Sequence, residues 1–154
     1  MTTNLLQKLL DNGILQYGIW ETIYMTLLST IFAYVIGLPI GLILSVTGKN
    51  GIRPIAWLNR ILGIIVNIFR SIPFIILMVA MLPVAKFIVG SSLGNKAMIV
   101  TLVIAAAPYV ARMVESSIAE VGKGVIEAAK AMGTPTFKIV TKVLIPEAKP
   151  SLIT

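Results

Sequence analysis

Few residues in this chain can make or break bonds. It has no histidine and no cysteine, and its acids are Asp11, Glu21, Glu115, Glu120, Glu127 and Glu147. Without imidazole or thiol there is no Ser-His-Asp set, no thiolate nucleophile and no zinc site. No disulfide framework is available either. A phosphate loop of the type G-x-x-x-x-G-K-S/T is absent, and GVIEAAKAMGT has the wrong spacing for one. The sequence therefore offers no catalytic residue, no metal ligand and no cofactor-binding residue of its own. Two other kinds of chemistry remain. One is a cation, Arg70, set in an apolar run beside Ser71 and Pro73. The other is mechanical, and lies in the segment from Glu127 to Pro146, EAAKAMGTPTFKIVTKVLIP.

That segment reads as a helix–glycine–helix elbow. Val125, Ala128, Ala129 and Met132 recur at i, i+3, i+4 and i+7, which is one face of a helix. Gly133 follows as a stop that takes positive φ without a Cβ penalty. Thr134 is the expected N-cap and Pro135 the expected first residue of a second helix. There Phe137, Val140, Thr141 and Leu144 repeat the spacing, and Pro146 is expected to end or kink the helix. The apolar faces are expected to point inward, with Lys130, Lys138 and Lys142 on the outside. Such an elbow fixes the angle between two short levers, and Ala128 and Ala129 allow close approach of another surface.

Composition places the elbow in a membrane protein. Of 154 residues, 57% are apolar and 12% charged, where a soluble domain carries about 25% charged residues. Mean hydropathy is +0.95. The net charge of +7 does not call for nucleic acid, because the basic residues lie between apolar spans, as positive-inside bias requires. The first residues, MTTNLLQKLLDNG, lack the layout of a removable signal peptide.

The elements that position these residues follow in order. Residues 1–17 form an amphipathic lead-in, lying on the membrane surface or extending the first span. A first span is expected over 18–47, with Tyr17, Trp20, Tyr24 and Glu21 at its watery end. Gly37 and Gly41 have small-xxx-small spacing for close helix contact, and Pro39 between them is expected to bend the helix. A turn at 47–54 precedes a second span over 61–89, kinked at Pro73, with Pro83 repeating the device. Arg70 interrupts this span, and two readings stand. It snorkels to headgroups or braces the elbow region, or it lines a translocation path near the inner mouth with Ser71 and Pro73. A third span covers 97–118, thin-walled at Ala105-Ala106-Ala107-Pro108, with Arg112 and Glu115 spaced to pair. The elbow, 122–146, comes next. Beyond it the chain reaches Thr154 in what reads as the opening of a further helix. The fold class is all-α and polytopic.

Counting Lys and Arg gives an orientation. Lys8, Lys86 and Lys96 fall on one side, three in all, against nine on the other: Lys49, Arg53, Arg60, Arg112, Lys123, Lys130, Lys138, Lys142 and Lys149. The bias puts residues 48–60 and 112–149 on the cytoplasmic side and the N-terminus outside.

The elbow also resembles the EAA loop of binding-protein-dependent ABC importer permeases. Glu127-Ala128-Ala129, Gly133 and Pro146 stand at that loop's spacing, with Val143 and Ile145 replacing the family's Ile and Leu. The Arg-Ser-Ile-Pro run resembles the Arg-x-x-Pro segment of amino-acid importer permeases. GLPIGLIL, VNIFRSIPFIIL and AAPYVARMVE extend the likeness to methionine-importer permeases over nearly the whole chain. The resemblance implies a type I importer fold in a bacterial inner membrane, continued by two further spans. It implies a permease homodimer, two copies of a cytoplasmic ATPase subunit that binds the ATP, and an extracytoplasmic substrate-binding protein. It makes Glu127, Ala128, Ala129, Met132, Gly133, Thr134, Phe137 and Pro146 the ATPase-coupling residues, and the chain a transport subunit, not an enzyme. The alternatives are an ion-coupled carrier or channel fragment, or a membrane anchor without a pathway. The lack of any acid at the centre of a span argues against the carrier.

Overall fold

The computed structural model describes residues 13–153. Most of the lead-in expected over 1–17 lies outside the described residues. Gly13, with φ 66°, stands before the first helix, α1 (Ile14–Thr47). Its 34 residues extend about 51 Å at 1.5 Å per residue, more than the roughly 30 Å of hydrocarbon. Three hydroxyls within it are satisfied locally, whereas the buried Ser29 Oγ has no hydrogen-bond partner among the described residues. Thr22, Thr30 and Thr47 donate to the carbonyls of Gly18, Thr26 and Ile43 at 2.8, 2.8 and 2.6 Å. Pro39 sits inside α1 without interrupting it.

The second apolar stretch departs from expectation. The single span expected over 61–89 is three helices: α2 (Ala56–Ser71), α3 (Phe74–Ala80) and α4 (Leu82–Val89). The axes of α2 and α3 meet at 105°. The cause is local. The Pro73 ring crowds the preceding residue out of the helical region, and Ile72 is extended at φ −83°, ψ 131°. Pro83 does not repeat the break. It occupies the first turn of α4, where a missing N–H costs nothing. The start of α2 is tied to the end of α1, since the Asn59 side-chain amide donates to the Leu44 carbonyl at 2.7 Å.

The last long helix is α5 (Asn95–Ala119), with Pro108 inside it. Its packing on α1 is the most extensive in the molecule. The two run parallel. Asn95 donates to Glu21 Oε1 at 2.7 Å near one end, while Gly41 meets Ala111 and Val114 further along. The glycines determine the contact. A Cβ on Gly37 would lie 2.7 Å from Val110 Cβ and 2.8 Å from the Ala107 carbonyl oxygen. On Gly41 it would lie 2.5 Å from the Ala111 carbonyl oxygen and 2.7 Å from Val114 Cβ. Ala97, Ala105, Ala107 and Ala111 are buried on the α5 side, so the expected small-residue packing is present. The chain continues through α6 (Lys123–Ala131), α7 (Thr136–Ile139), a π turn (Val140–Leu144) and α8 (Ile145–Ile153). Leu144 and Ala148 close the main core against Val110, Val114, Ile118 and Ala33.

Gly41→Ala should therefore destabilise the protein by about 1–3 kcal/mol, the cost of overpacking. Gly18, with open space around its would-be Cβ, should accept alanine without loss. Thermal unfolding of the two variants in detergent checks this; equal midpoints would show that the α1–α5 contact is not tight.

Candidate functional site

The elbow is built by a closed helix end. In α6 the last carbonyls are satisfied by the turn that follows. The Gly133 N–H donates to the Lys130 carbonyl at 2.9 Å, and the Thr134 N–H to the Ala129 carbonyl at 3.2 Å. Gly133 takes φ 70°. Together these are a Schellman motif, which needs the left-handed conformation that glycine adopts freely. The motif also explains a correction. Thr134 does not cap the second helix. Its N–H closes the first one, and Pro135 holds the N-cap position at φ −65°, ψ 147° with no side-chain cap bond.

Pro146 brings a second correction. It neither ends nor visibly breaks the helical run, which continues from Thr136 to Ile153. The run widens just before it. The Ile145 N–H donates to the Val140 carbonyl, five residues back. A wide turn moves the carbonyl at i−4 away from the proline ring, so the proline is absorbed by the π segment.

The faces of the elbow also differ from the expected ones. Ala129 is 4% exposed and Ile126 is packed against the core. Val125, Ala128 and Met132 point outward. In the second helix Ile139 and Leu144 are buried, while Phe137 and Thr141 are exposed. Both faces of α6 are apolar, so periodicity alone could not say which one packs. The outcome is an uncovered apolar stripe across the joint, with Met132 and Phe137 each 77% exposed. Glu127 stands beside it. It lines a cleft of about 250 Å³ with Lys123, Lys130, Asn50 and Gly51, so the elbow abuts the turn between α1 and α2. A cavity of about 230 Å³ lies beneath the elbow, walled by Ile52, Glu115, Ile126 and Leu144 among others.

Arg70, Ser71 and Pro73 are brought together at the α2–α3 break. All three line a chamber of about 370 Å³ with Phe69, Phe74 and Ala105. Ser71 Oγ donates to the Asn67 carbonyl at 2.7 Å. Arg70 and Tyr109 also line a second, adjoining cavity of about 480 Å³ with Asn67, Arg112 and Glu115. Arg70 lines none of the elbow's cavities. Arg112 pairs with Glu115, as their spacing predicts. It also reaches across to α2, with Nε and Nη2 donating to Asn67 Oδ1 at 3.2 and 2.7 Å. Asn67 and Tyr109 were not singled out from the sequence. An amide within an apolar helix, one turn before an arginine, was the available signal for Asn67.

Comparison with known proteins fits this geometry. The family of binding-protein-dependent transport system inner membrane components matches residues 37–154. The D-methionine transport system permease protein MetI of Escherichia coli is 53% identical over 136 residues, 88% of this chain and 63% of that protein. The MetI protein of Yersinia pestis is 50% identical over 136 residues, with the same coverage of 88% and 63%. This chain thus spans 63% of the length of these curated relatives. Among solved structures, an inward-facing conformation of the MetNI methionine ABC transporter overlays with TM-score 0.87 and 52% identity, covering 90% of this chain and 64% of that one. An amino acid ABC transporter chain at 20% identity and TM-score 0.59 shares the fold. The chain is a multi-pass membrane protein and belongs to the family of binding-protein-dependent transport system inner membrane components.

Proposed function

We propose that this chain is the permease subunit of an ABC importer that moves methionine, or a related amino acid, into the cytoplasm. The observation that carries this reading is the exposed apolar stripe of Val125, Ala128, Met132 and Phe137 across the Gly133 joint. It lies at the end of the α1–α5 pair where the basic residues collect. A soluble face of this kind calls for a partner. The names of the relatives, D-methionine permeases, and of the MetNI transporter supply the substrate and the class of partner.

On this reading the partner is a cytoplasmic ATPase subunit, present twice, which holds the ATP. A second permease copy completes the pathway, and an extracytoplasmic binding protein delivers the substrate. Residues 48–60 and 112–149 face the cytoplasm, and the N-terminus faces outward. Met132 and Phe137 anchor the elbow in the ATPase, Ala128 lets it sit close, and Glu127 pairs with a basic residue at the rim. Gly133 and Thr134 set the angle of the joint, while Ala129 and the π turn before Pro146 hold it to the spans. Closure of the ATPase pair carries the two elbows inward. Leu144 and Ala148 pass that motion to Val114 and Ile118 of α5, and the pathway changes the side to which it opens. Arg70, Ser71 and Pro73 line that pathway.

Two outcomes test the reading. Met132→Asp with Phe137→Asp should abolish co-purification of the ATPase, since truncation at interface anchors costs more than about 1 kcal/mol, and Glu127→Lys should weaken it roughly tenfold, because the reversal sets two cations against each other at the rim. Retention of a stoichiometric ATPase by the double aspartate variant would remove the elbow from the interface. Gly133→Val, which places a β-branched residue at φ 70° for about 1–2 kcal/mol, should give a reconstituted complex that hydrolyses ATP without importing methionine, or one that fails to assemble. Wild-type uptake by that variant would exclude the lever.

A further inference from the structure

The turn between α1 and α2 presents three exposed cations, Lys49, Arg53 and Arg60. Among the described residues their side chains form no hydrogen bond or ion pair. The sequence holds no acid between Glu21 and Glu115. Glu115 and Glu127 line cavities that reach this turn at Asn50 and Gly51. Both stand beside other cations, Glu115 paired with Arg112 and Glu127 in one cleft with Lys123 and Lys130. The turn is also rigid. The Arg53 N–H donates to the Val46 carbonyl and the Ile55 N–H to the Thr47 carbonyl, each at 3.1 Å. The Asn59 amide donates to the Leu44 carbonyl at 2.7 Å. Arg53 and Arg60 are thus fixed at one end of α2 with their charge unspent.

The face of α2 that continues from them is apolar and uncovered. At about 100° per residue, Trp57, Arg60, Ile61, Ile64 and Ile68 fall within one sector about 100° wide. Val66 lies opposite, buried against Leu44 and Ala111. Trp57 is 67% exposed, and Ile61, Ile64 and Ile68 are half exposed or more. From Trp57 to Ile68 the ridge runs about 17 Å, close to the roughly 15 Å of hydrocarbon in one leaflet. Cations, then an indole, then an aliphatic ridge match a leaflet taken inward from its surface: phosphate, ester region, acyl chain. Two other occupants fit less well. A soluble acidic partner on the arginines would leave Ile64 and Ile68 bare. A second copy docked on the same face through a two-fold axis normal to the membrane would set arginine against arginine at one depth.

We propose that this corner of α2 is a binding site for an anionic phospholipid of the cytoplasmic leaflet. Arg53 and Arg60 hold the phosphate through charge-assisted hydrogen bonds. Trp57 donates its indole N–H at the level of the esters, and an acyl chain lies along Ile61, Ile64 and Ile68. The site rests on the placement of residues 48–60 at the cytoplasmic surface, and on neither the substrate nor the lever. Its occupant fastens the turn on which the elbow leans, since Asn50 and Gly51 share a cleft with Glu127.

The test uses the full-length permease assembled with its ATPase, reconstituted in vesicles of equimolar phosphatidylglycerol and phosphatidylcholine. The complex is extracted in detergent, and the lipids it keeps are counted by native mass spectrometry. Wild type should keep phosphatidylglycerol over phosphatidylcholine by about tenfold or more, the work of two basic residues. Arg53→Gln with Arg60→Gln should bring that preference close to parity, and Arg53→Lys with Arg60→Lys should preserve most of it. Trp57→Ala should weaken retention about threefold. Lys86→Gln with Lys96→Gln removes the same charge from the other side and should change nothing. Equal retention of the two lipids by wild type overturns the site. So does an equal loss in the Lys86 and Lys96 variant, which marks net charge alone. Loss of the ATPase with the lipid still bound, in the double glutamine variant, assigns the arginines to that partner and overturns it too. Should that variant fail to assemble, Trp57→Ala decides, and unchanged retention there overturns the site. Absence of ATP-driven methionine uptake by wild type in the same vesicles overturns the importer reading and leaves the lipid site standing.

Discussion

At Gly37 and Gly41 two helix backbones come so close that no side chain fits between them. Within lipid, apolar surface gains little by meeting other apolar surface, so association depends on van der Waals fit over short distances. The missing Cβ atoms provide that fit. They let α1 seat against Ala107, Val110, Ala111 and Val114 over adjacent turns. Because the two helices are parallel, their C-terminal ends emerge together. The α1–α2 turn and the elbow are then brought side by side, and Asn50, Gly51, Lys123 and Glu127 line one cleft.

The second apolar stretch is organised by this pair and by one proline. The start of α2 is fixed by Asn59 on Leu44, and Val66 packs on Leu44 and Ala111. It runs back along the pair for about 24 Å and stops where Pro73 forbids another turn. The sharp turn there leaves α3 against Ala105 and Ala106 and opens the chamber. Asn67 and Arg112 pin the end of α2 to α5 one turn below Arg70.

What was legible in the sequence was the chemistry that a residue carries wherever it sits. Gly37 and Gly41 announced a close contact by spacing, Gly133 a left-handed joint, and Arg112 and Glu115 a pair on one helical face. The lack of cysteine and histidine limited the function classes before any helix was placed. What was not legible depended on competition between neighbours. A proline predicts an extended residue before it, but the 105° turn at Pro73 is set by where α3 finds α5. Thr134 had the type of an N-cap, yet its N–H was claimed by the Schellman turn. The inward face of α6 was read as Val125, Ala128, Ala129 and Met132; of these only Ala129 is buried, because Ile126 beside it competes for the core. Only contact with α5 and the π turn decides between them. Nothing in the spacing of Val140 to Leu144 signals a π turn; it follows from the space that Pro146 needs.

The strengths of the forces at the elbow decide how a grip on it works. Burying an exposed Met or Phe side chain contributes about 1.5–3 kcal/mol each. An exposed ion pair such as one made by Glu127 contributes about 0.2–1 kcal/mol. In the proposed grip the hold would therefore be hydrophobic, and the charge would set orientation. A hydrophobic hold on two residues flanking Gly133 transmits torque only if the joint is stiff, and the Schellman hydrogen bonds supply the stiffness. Beyond the joint, force passes through Ile139, Leu144 and Ala148, all at most 1% exposed. It reaches α5 at Val114 and Ile118, and two bonds at Ser151 reinforce the junction: its hydroxyl donates to Glu120 Oε2 at 2.7 Å, and its carbonyl accepts from the Ser117 hydroxyl at 3.3 Å. Helix α5 is continuous from there past Arg112 to Tyr109. A displacement at the elbow thus arrives, along one unbroken rod, at the wall of the chamber that faces Arg70.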